Sequence, residues 1–156
     1  MPNKLDSIDR AILAELQADA KLTNTVLAGK VNLSPTPCLR RVKRLEQEGF
    51  IQSYITELSK EKLGLQISAF VFVQLVRNSK ENAAAFEQAI LAFEEVMDCY
   101  VLTGEHDYLL NVVAKSLASY DVFVKEKLAS VNQIAKIDTT IVLNQVKSKR
   151  SLPLNP

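Results

Sequence analysis

Reactive and cross-linking side chains are scarce in this chain of 156 residues, which holds two cysteines, one histidine and four glycines. Cys38 falls in a basic segment and Cys99 in an apolar, strand-like run. With no paired spacing to mark a zinc site, both read as small buried hydrophobes rather than as ligands or disulfide partners. His106 stands between Glu105 and Asp107, but three adjacent residues in one turn do not converge on an ion. It therefore reads as a solvent-exposed loop residue, and neither a metal nor a cofactor is expected. No glycine-rich phosphate loop is present and no nucleophile–base pair is visible, which argues against an enzyme. No signal-peptide pattern and no apolar run of membrane-spanning length occur, so the expectation is a cytoplasmic chain without a membrane partner.

Charge of one sign is also missing overall: the net charge is +1. Its distribution is more informative, because residues 1–50 hold 8 Lys/Arg against 6 Asp/Glu and the remainder hold 11 against 12. The excess concentrates in one segment, where Arg40, Arg41, Lys43 and Arg44 supply four cations within five positions. Ser34 suits an N-cap, Pro35 or Pro37 suits a first turn that needs no amide donor, and Gly49 supplies a left-handed stop. Leu39, Val42 and Leu45 form a narrow apolar stripe, so one face of this helix packs and the others carry charge.

Two shorter helical patterns precede it. Residues 5–17 carry Ile8, Ile12, Leu13 and Leu16 at helical spacing, with Asp6 placed to cap and Asp9 in the first turn. A second helix follows Thr23 and runs out near Val31. Three short helices with the last one basic outline a helix-turn-helix, which sets its last helix in the DNA major groove. In such a unit Ser34, Pro35, Thr36 and Pro37 lie nearest the bases, and Arg40, Arg41, Lys43 and Arg44 meet phosphates, with buttressing of the domain through a carboxylate such as Glu46 the alternative for Arg41.

Beyond Gly49 the period changes. Residues 51–64 read as a β-prone linker strand and a polar turn. Residues 67–76 form a nearly all-apolar strand, 79–93 a helix, 96–103 and 107–114 a hairpin, 116–128 a second helix and 136–146 a last strand. That order is the ferredoxin-like βαββαβ pattern. The expected class is therefore α+β, with a winged-type helix-turn-helix domain at 1–50, a linker at 51–64, a ferredoxin-like domain at 65–147 and a polar tail at 148–156. Two helices cover one face of a four-stranded sheet, so the other face calls for a partner subunit.

Ser-Pro-Thr-Pro-Cys at 34–38, Arg41, Leu45-Glu46, Gly49-Phe50-Ile51 and Tyr54 resemble the DNA-binding domain of the Lrp/AsnC (feast/famine) regulators. Within that family they resemble the leucine-responsive branch more than the asparagine-type branch. Leu5-Asp6, Asp9, Ile12-Leu13 and Leu16-Gln17 match its first helix. Thr103-Gly104 with Asp107-Tyr108-Leu109-Leu110 resembles its Gly-x-x-Asp-Tyr turn, and Thr139-Thr140 through Leu143 its final strand, so the likeness covers nearly the whole chain.

The resemblance implies an amino-acid-gated, sequence-specific transcriptional regulator acting on double-stranded DNA, built as a homodimer that assembles to an octamer. The implied effector site comprises Thr103, Gly104, Glu105, His106, Asp107, Tyr108, Leu109, Thr139 and Thr140. There the Gly104 turn and the threonines would supply donors for a carboxylate, and Asp107 an anion for an ammonium. A plain hairpin turn is the alternative for Gly104 and Asp107. Apolar neighbours favour leucine or methionine as the free amino acid. An architectural, nucleoid-type DNA-binding protein without strong effector response remains the alternative function.

Overall fold

A computed structural model describes residues 5–149 and 151–154. Two compact units divide the chain, one formed by Met1–Glu57 with Lys147–Pro156 and the other by Leu58–Val146.

In the first unit, α1 (Ser7–Ala18) opens with a reciprocal capping box: the Asp6 carboxylate accepts from the Asp9 amide at 2.7 Å and the Asp9 carboxylate accepts from the Asp6 amide at 3.2 Å. Thr23 caps α2 (Asn24–Lys30). The turn into α3 (Pro35–Gln47) is made by Asn32 at φ 53°, a left-handed position that asparagine tolerates, with the Leu33 amide donating to the Ala28 carbonyl. Asn24 donates to the Pro35 carbonyl at 2.8 Å and so ties the start of α2 to the start of α3. Gly49, at φ 76°, ends α3 as its sequence position predicts.

Ile12, Leu13, Leu27, Ala28, Val31, Cys38 and Leu45 form the core of this unit. The packing stripe of α3 is Cys38, Val42 and Leu45. Leu39, expected within it, is exposed at the rim of a hollow shared with Leu16, Leu27 and Val42.

The chain after α3 departs from expectation. Residues 52–58 form no ladder with any described strand, so the linker is not a sheet strand in this structure. Residues 51–57 belong to the helical unit and 58–64 to the second unit. The tail is docked: Arg10 donates to the Leu154 carbonyl, and Gln17 accepts from the Leu152 amide at 2.6 Å while donating to its carbonyl at 3.3 Å. Leu154 packs against the helical core. Two leucines make this tail less polar than its flanks, and the primary amide of Gln17 pairs with a peptide group as another backbone would.

The second unit holds β1 (Ile67–Leu75), α4 (Lys80–Leu91), β2 (Val96–Val101), β3 (Tyr108–Ala114), α5 (Leu117–Val122) and β4 (Ile134–Ile141). The sheet is antiparallel throughout in the order β2-β3-β1-β4, which is the ferredoxin-like topology. The expected second helix is interrupted: α5 passes into a π-helical turn at Phe123–Lys127 and a 3₁₀ turn at Leu128–Ser130. This irregularity leaves Phe123 and Leu128 both fully buried. Alternate residues of β1 and β3, including Val71, Val73, Leu110 and Val112, pack with Phe86, Ile90, Tyr120 and Phe123. β4 ends at Ile141, short of the predicted 146, and Leu143 and Val146 are exposed. Cys99 is exposed too, because β2 is an edge strand.

Candidate functional site

The helix-turn-helix unit presents α3 with an unusual start. Pro35 and Pro37 occupy the first and third helical positions, so the amide that an N-cap hydroxyl would most often bond is missing. Ser34 has cap backbone geometry but makes no side-chain capping bond, which leaves its exposed hydroxyl available beside that of Thr36.

Along α3 the exposed residues Thr36, Arg40, Lys43 and Gln47 fall on one face at steps of four, three and four. They line an open groove of about 710 Å³ with Leu39, Arg41 and Arg44. Sequence reasoning passed over Gln47, although the helical step from Lys43 points to it.

The four cations divide into two pairs. Arg41 donates through Nη1 to Asp6 at 2.7 Å and to Asp9 at 2.8 Å, and Arg44 donates through Nη2 to Asp9 at 2.5 Å. The Asp9 side chain is only 1% exposed, so it is a buried anion held by two charge-assisted hydrogen bonds. The Asp9 amide and then the Arg41 guanidinium hold the Asp6 carboxyl below the usual carboxylate range, and Asp6 in turn raises Arg41. Arg44 Nε also lies 3.9 Å from Glu48. Arg41 and Arg44 thus brace α3 against α1, a role beyond the phosphate contact expected of them from the basic segment. Arg40 and Lys43 are exposed and form no ion pair among the described residues.

In the second unit the turn from β2 to β3 closes with the Leu102 amide donating to the Asp107 carbonyl at 2.8 Å, and Gly104 takes φ 125°. The Asp107 carboxylate accepts from the Leu75 amide at 2.8 Å and from the Asn78 side-chain amide at 3.0 Å. It therefore anchors the turn to the end of β1. Each oxygen keeps a lone pair for a ligand donor.

The nine residues proposed for the effector do not share one surface. Tyr108 is buried on the helix-covered face, its ring 4.5 Å from that of Phe86 and its hydroxyl donating to Glu87 at 2.9 Å. Burial, then the Glu87 bond, pushes its phenol up to about 12. Thr139 meets the Tyr120 hydroxyl at 2.6 Å on the same side. Tyr108 is therefore a core residue and not lining, while Thr139 lies on the same side of the sheet but stays exposed on the edge strand β4.

The opposite face carries Leu109 and Thr140, because adjacent strand residues point to opposite sides. His106 is half-buried there, against the Phe72 ring at 5.2 Å and 3.0 Å from Asp138, so it is not the exposed loop residue its neighbours suggest. Asp138 also accepts from Lys136 at 2.7 Å, and Lys136 first, then His106, lowers its carboxyl. Thr103, Gly104 and Glu105 are exposed at the turn. Among the described residues no cluster of three or more His, Cys, Asp or Glu is arranged to hold a metal. No described helix is long and apolar enough to cross a membrane.

Comparison with known proteins covers both units. Residues 5–52 match a winged helix-turn-helix DNA-binding domain, and residues 68–152 match the Lrp/AsnC ligand binding domain. The chain is 41% identical to the Bkd operon transcriptional regulator of Pseudomonas aeruginosa over 97% of this chain and 99% of that one. It is 37% identical to the leucine-responsive regulatory protein of Escherichia coli, covering 95% and 90% respectively. A transcriptional regulator of Neisseria meningitidis solved in complex with L-methionine superposes with a TM-score of 0.93 at 38% identity, covering 97% of this chain and 98% of that one.

Proposed function

Since the chain belongs to the Lrp/AsnC family of transcriptional regulators, a family of DNA-binding proteins and not of enzymes, we propose that α3 is its recognition helix and that a small amino acid modulates it. The exposed stripe Thr36–Arg40–Lys43–Gln47 carries this reading, because it is the one face of α3 on which polar side chains and unpaired cations stand together. Ser34 and Thr36 at its N-terminal end face the bases, while Arg40 and Lys43 neutralise phosphates.

Leucine or methionine is the proposed effector, and the L-methionine complex of the Neisseria relative favours methionine. Its carboxylate would meet the Gly104 turn and Thr103, its ammonium Asp107, and its side chain the open sheet face at Leu109. The half-exposed Phe70 on that face supports a homodimer formed there, with dimers joining into an octamer. A cytoplasmic location goes with such a regulator.

Gel-shift titration across a salt series tests the DNA reading. Replacing Lys43 or Arg40 by Ala lowers the salt slope by about 0.9 for each phosphate left without its cation and weakens binding to all sequences alike. An unchanged slope in both variants assigns recognition to another element.

A further inference from the structure

The pairing of Arg41 and Arg44 with Asp6 and Asp9 carries an inference that rests on α3 being the recognition helix. We propose that Asp6 and Asp9 determine the sequence discrimination of this domain by withholding Arg41 and Arg44 from the DNA backbone. Arg40 and Lys43 are then left as the phosphate-contacting cations of α3.

Phosphate contacts add affinity for any duplex but carry no sequence information, so each additional cation on the backbone strengthens wrong sites along with right ones. The biologically relevant quantity is the ratio between them. A helix with four free cations in five positions would bind indiscriminately. Here two of the four are paired with carboxylates of the protein itself, and the unpaired charge lies on the same face as Thr36 and Gln47.

The geometry shows how the withholding is divided. Asp9 is shut from solvent and holds one guanidinium nitrogen of each arginine, at 2.8 Å and 2.5 Å, so a phosphate that draws either arginine away leaves a buried carboxylate short of a partner. Asp6 is half-exposed at 48% and shares the Arg41 Nη1 with Asp9 at 2.7 Å. The two carboxylates and two guanidinium groups balance, with Glu48 at 3.9 Å as a further anion beside Arg44. Removing the charge of Asp6 alone leaves Arg41 only its share of Asp9, since Glu48 stands beside Arg44, and frees positive charge on Arg41 at the edge of the groove. Asp6 is therefore the adjustable member of the set and Asp9 the fixed one. The same contacts fix the rotation of α3 about its own axis, since Arg41 and Arg44 lie on the flank next to the exposed stripe.

Asp6→Asn separates this role from structural support, because asparagine is as good an N-cap as aspartate and keeps an acceptor for the Asp9 amide. The readouts are the salt slope on a random-sequence duplex and the affinity ratio between that duplex and the tightest one selected from a random pool. Lys43→Ala is the ruler, whatever number of helices engage the duplex. Asp6→Asn is expected to steepen the slope by as much as Lys43→Ala flattens it, about 0.9 per engaged helix, and to lower the affinity ratio. Adding Arg41→Gln to Asp6→Asn is expected to return the slope to that of the parent. Asp6→Ser, another good cap, repeats the measurement should asparagine disturb the turn.

A slope unchanged in Asp6→Asn while Lys43→Ala flattens it overturns the withholding but leaves α3 as the recognition helix. A steeper slope that survives Arg41→Gln also overturns it, because that double variant has the parent's net charge and no released Arg41 to account for the gain. An inert Lys43→Ala removes the reading of α3, and this proposal with it.

Discussion

Replacing Asp107 by Ala removes an acceptor from two donors at once, the Leu75 amide at 2.8 Å and the Asn78 side chain at 3.0 Å. A hydrogen bond to a charged group contributes about 1.5–3 kcal/mol net, and the lower end applies where water replaces the missing partner. The Leu75 arm is partly buried and rates about 2 kcal/mol, while the solvent-reached Asn78 arm adds about 0.5–1 kcal/mol. For a domain of this size each kcal/mol moves the midpoint by about 4–8 °C, so the ferredoxin-like unit should melt roughly 10–20 °C earlier. Calorimetry on the parent, Asp107→Ala and Asp107→Asn checks this. Asparagine keeps one acceptor oxygen and should recover most of the stability. It also removes the charge proposed for the effector ammonium, so Asp107→Asn should weaken L-methionine binding about tenfold in isothermal titration while staying folded. An Asp107→Ala midpoint within 2 °C of the parent refutes the anchoring role.

Raising the pH tests the buried phenol of Tyr108. Its folded value of about 12 exceeds the unfolded value near 10, so its contribution is complete below pH 10 and lost as pH rises from 10 to 12. Chemical denaturation at pH 8 to 12 should show that decline, and Tyr108→Phe should flatten it. Phe70→Lys places a charge on the open sheet face and should yield a monomer of 17.4 kDa by light scattering, whereas an unchanged larger mass places the dimer contact elsewhere. Gly29→Ala meets nothing within 4 Å inside α2 and should stabilise the helical unit by about 0.5–1 kcal/mol in thermal melts.

Local chemistry explains what was legible in the sequence. Asp6, Thr23 and Gly49 mark helix ends because caps and left-handed stops depend on a few adjacent residues, and all three act as those positions predict. Hydrophobic period likewise reveals the order of strands and helices in the second unit.

Long-range pairings were not legible in the same way. Arg41 meets carboxylates 32 and 35 residues away, and nothing in the spacing of a basic helix tells a braced arginine from a free one. The effector residues that the resemblance implies are mostly neighbours along the chain, but a strand sends neighbours to opposite faces. Tyr108 and Thr139 accordingly point to the helix-covered side, where Tyr108 alone is buried, while Leu109 and Thr140 point to the open side. His106 looked exposed among charged neighbours until β1 and β4 brought Phe72 and Asp138 against it. The docking of residues 152–154 is of the same kind, because Gln17 supplies a partner that only the folded chain brings near.

Gating by a free amino acid is the central claim, and one titration addresses it. Binding of a fluorescent duplex, selected from a random pool, should be measured by anisotropy with L-methionine and L-leucine present at increasing concentration. One of them is expected to change the DNA Kd by about 5- to 150-fold, and saturating DNA to change the amino-acid Kd by the same factor, as linkage requires. A DNA affinity constant to within error for these two and for the other eighteen amino acids would contradict it, leaving an architectural DNA-binding protein.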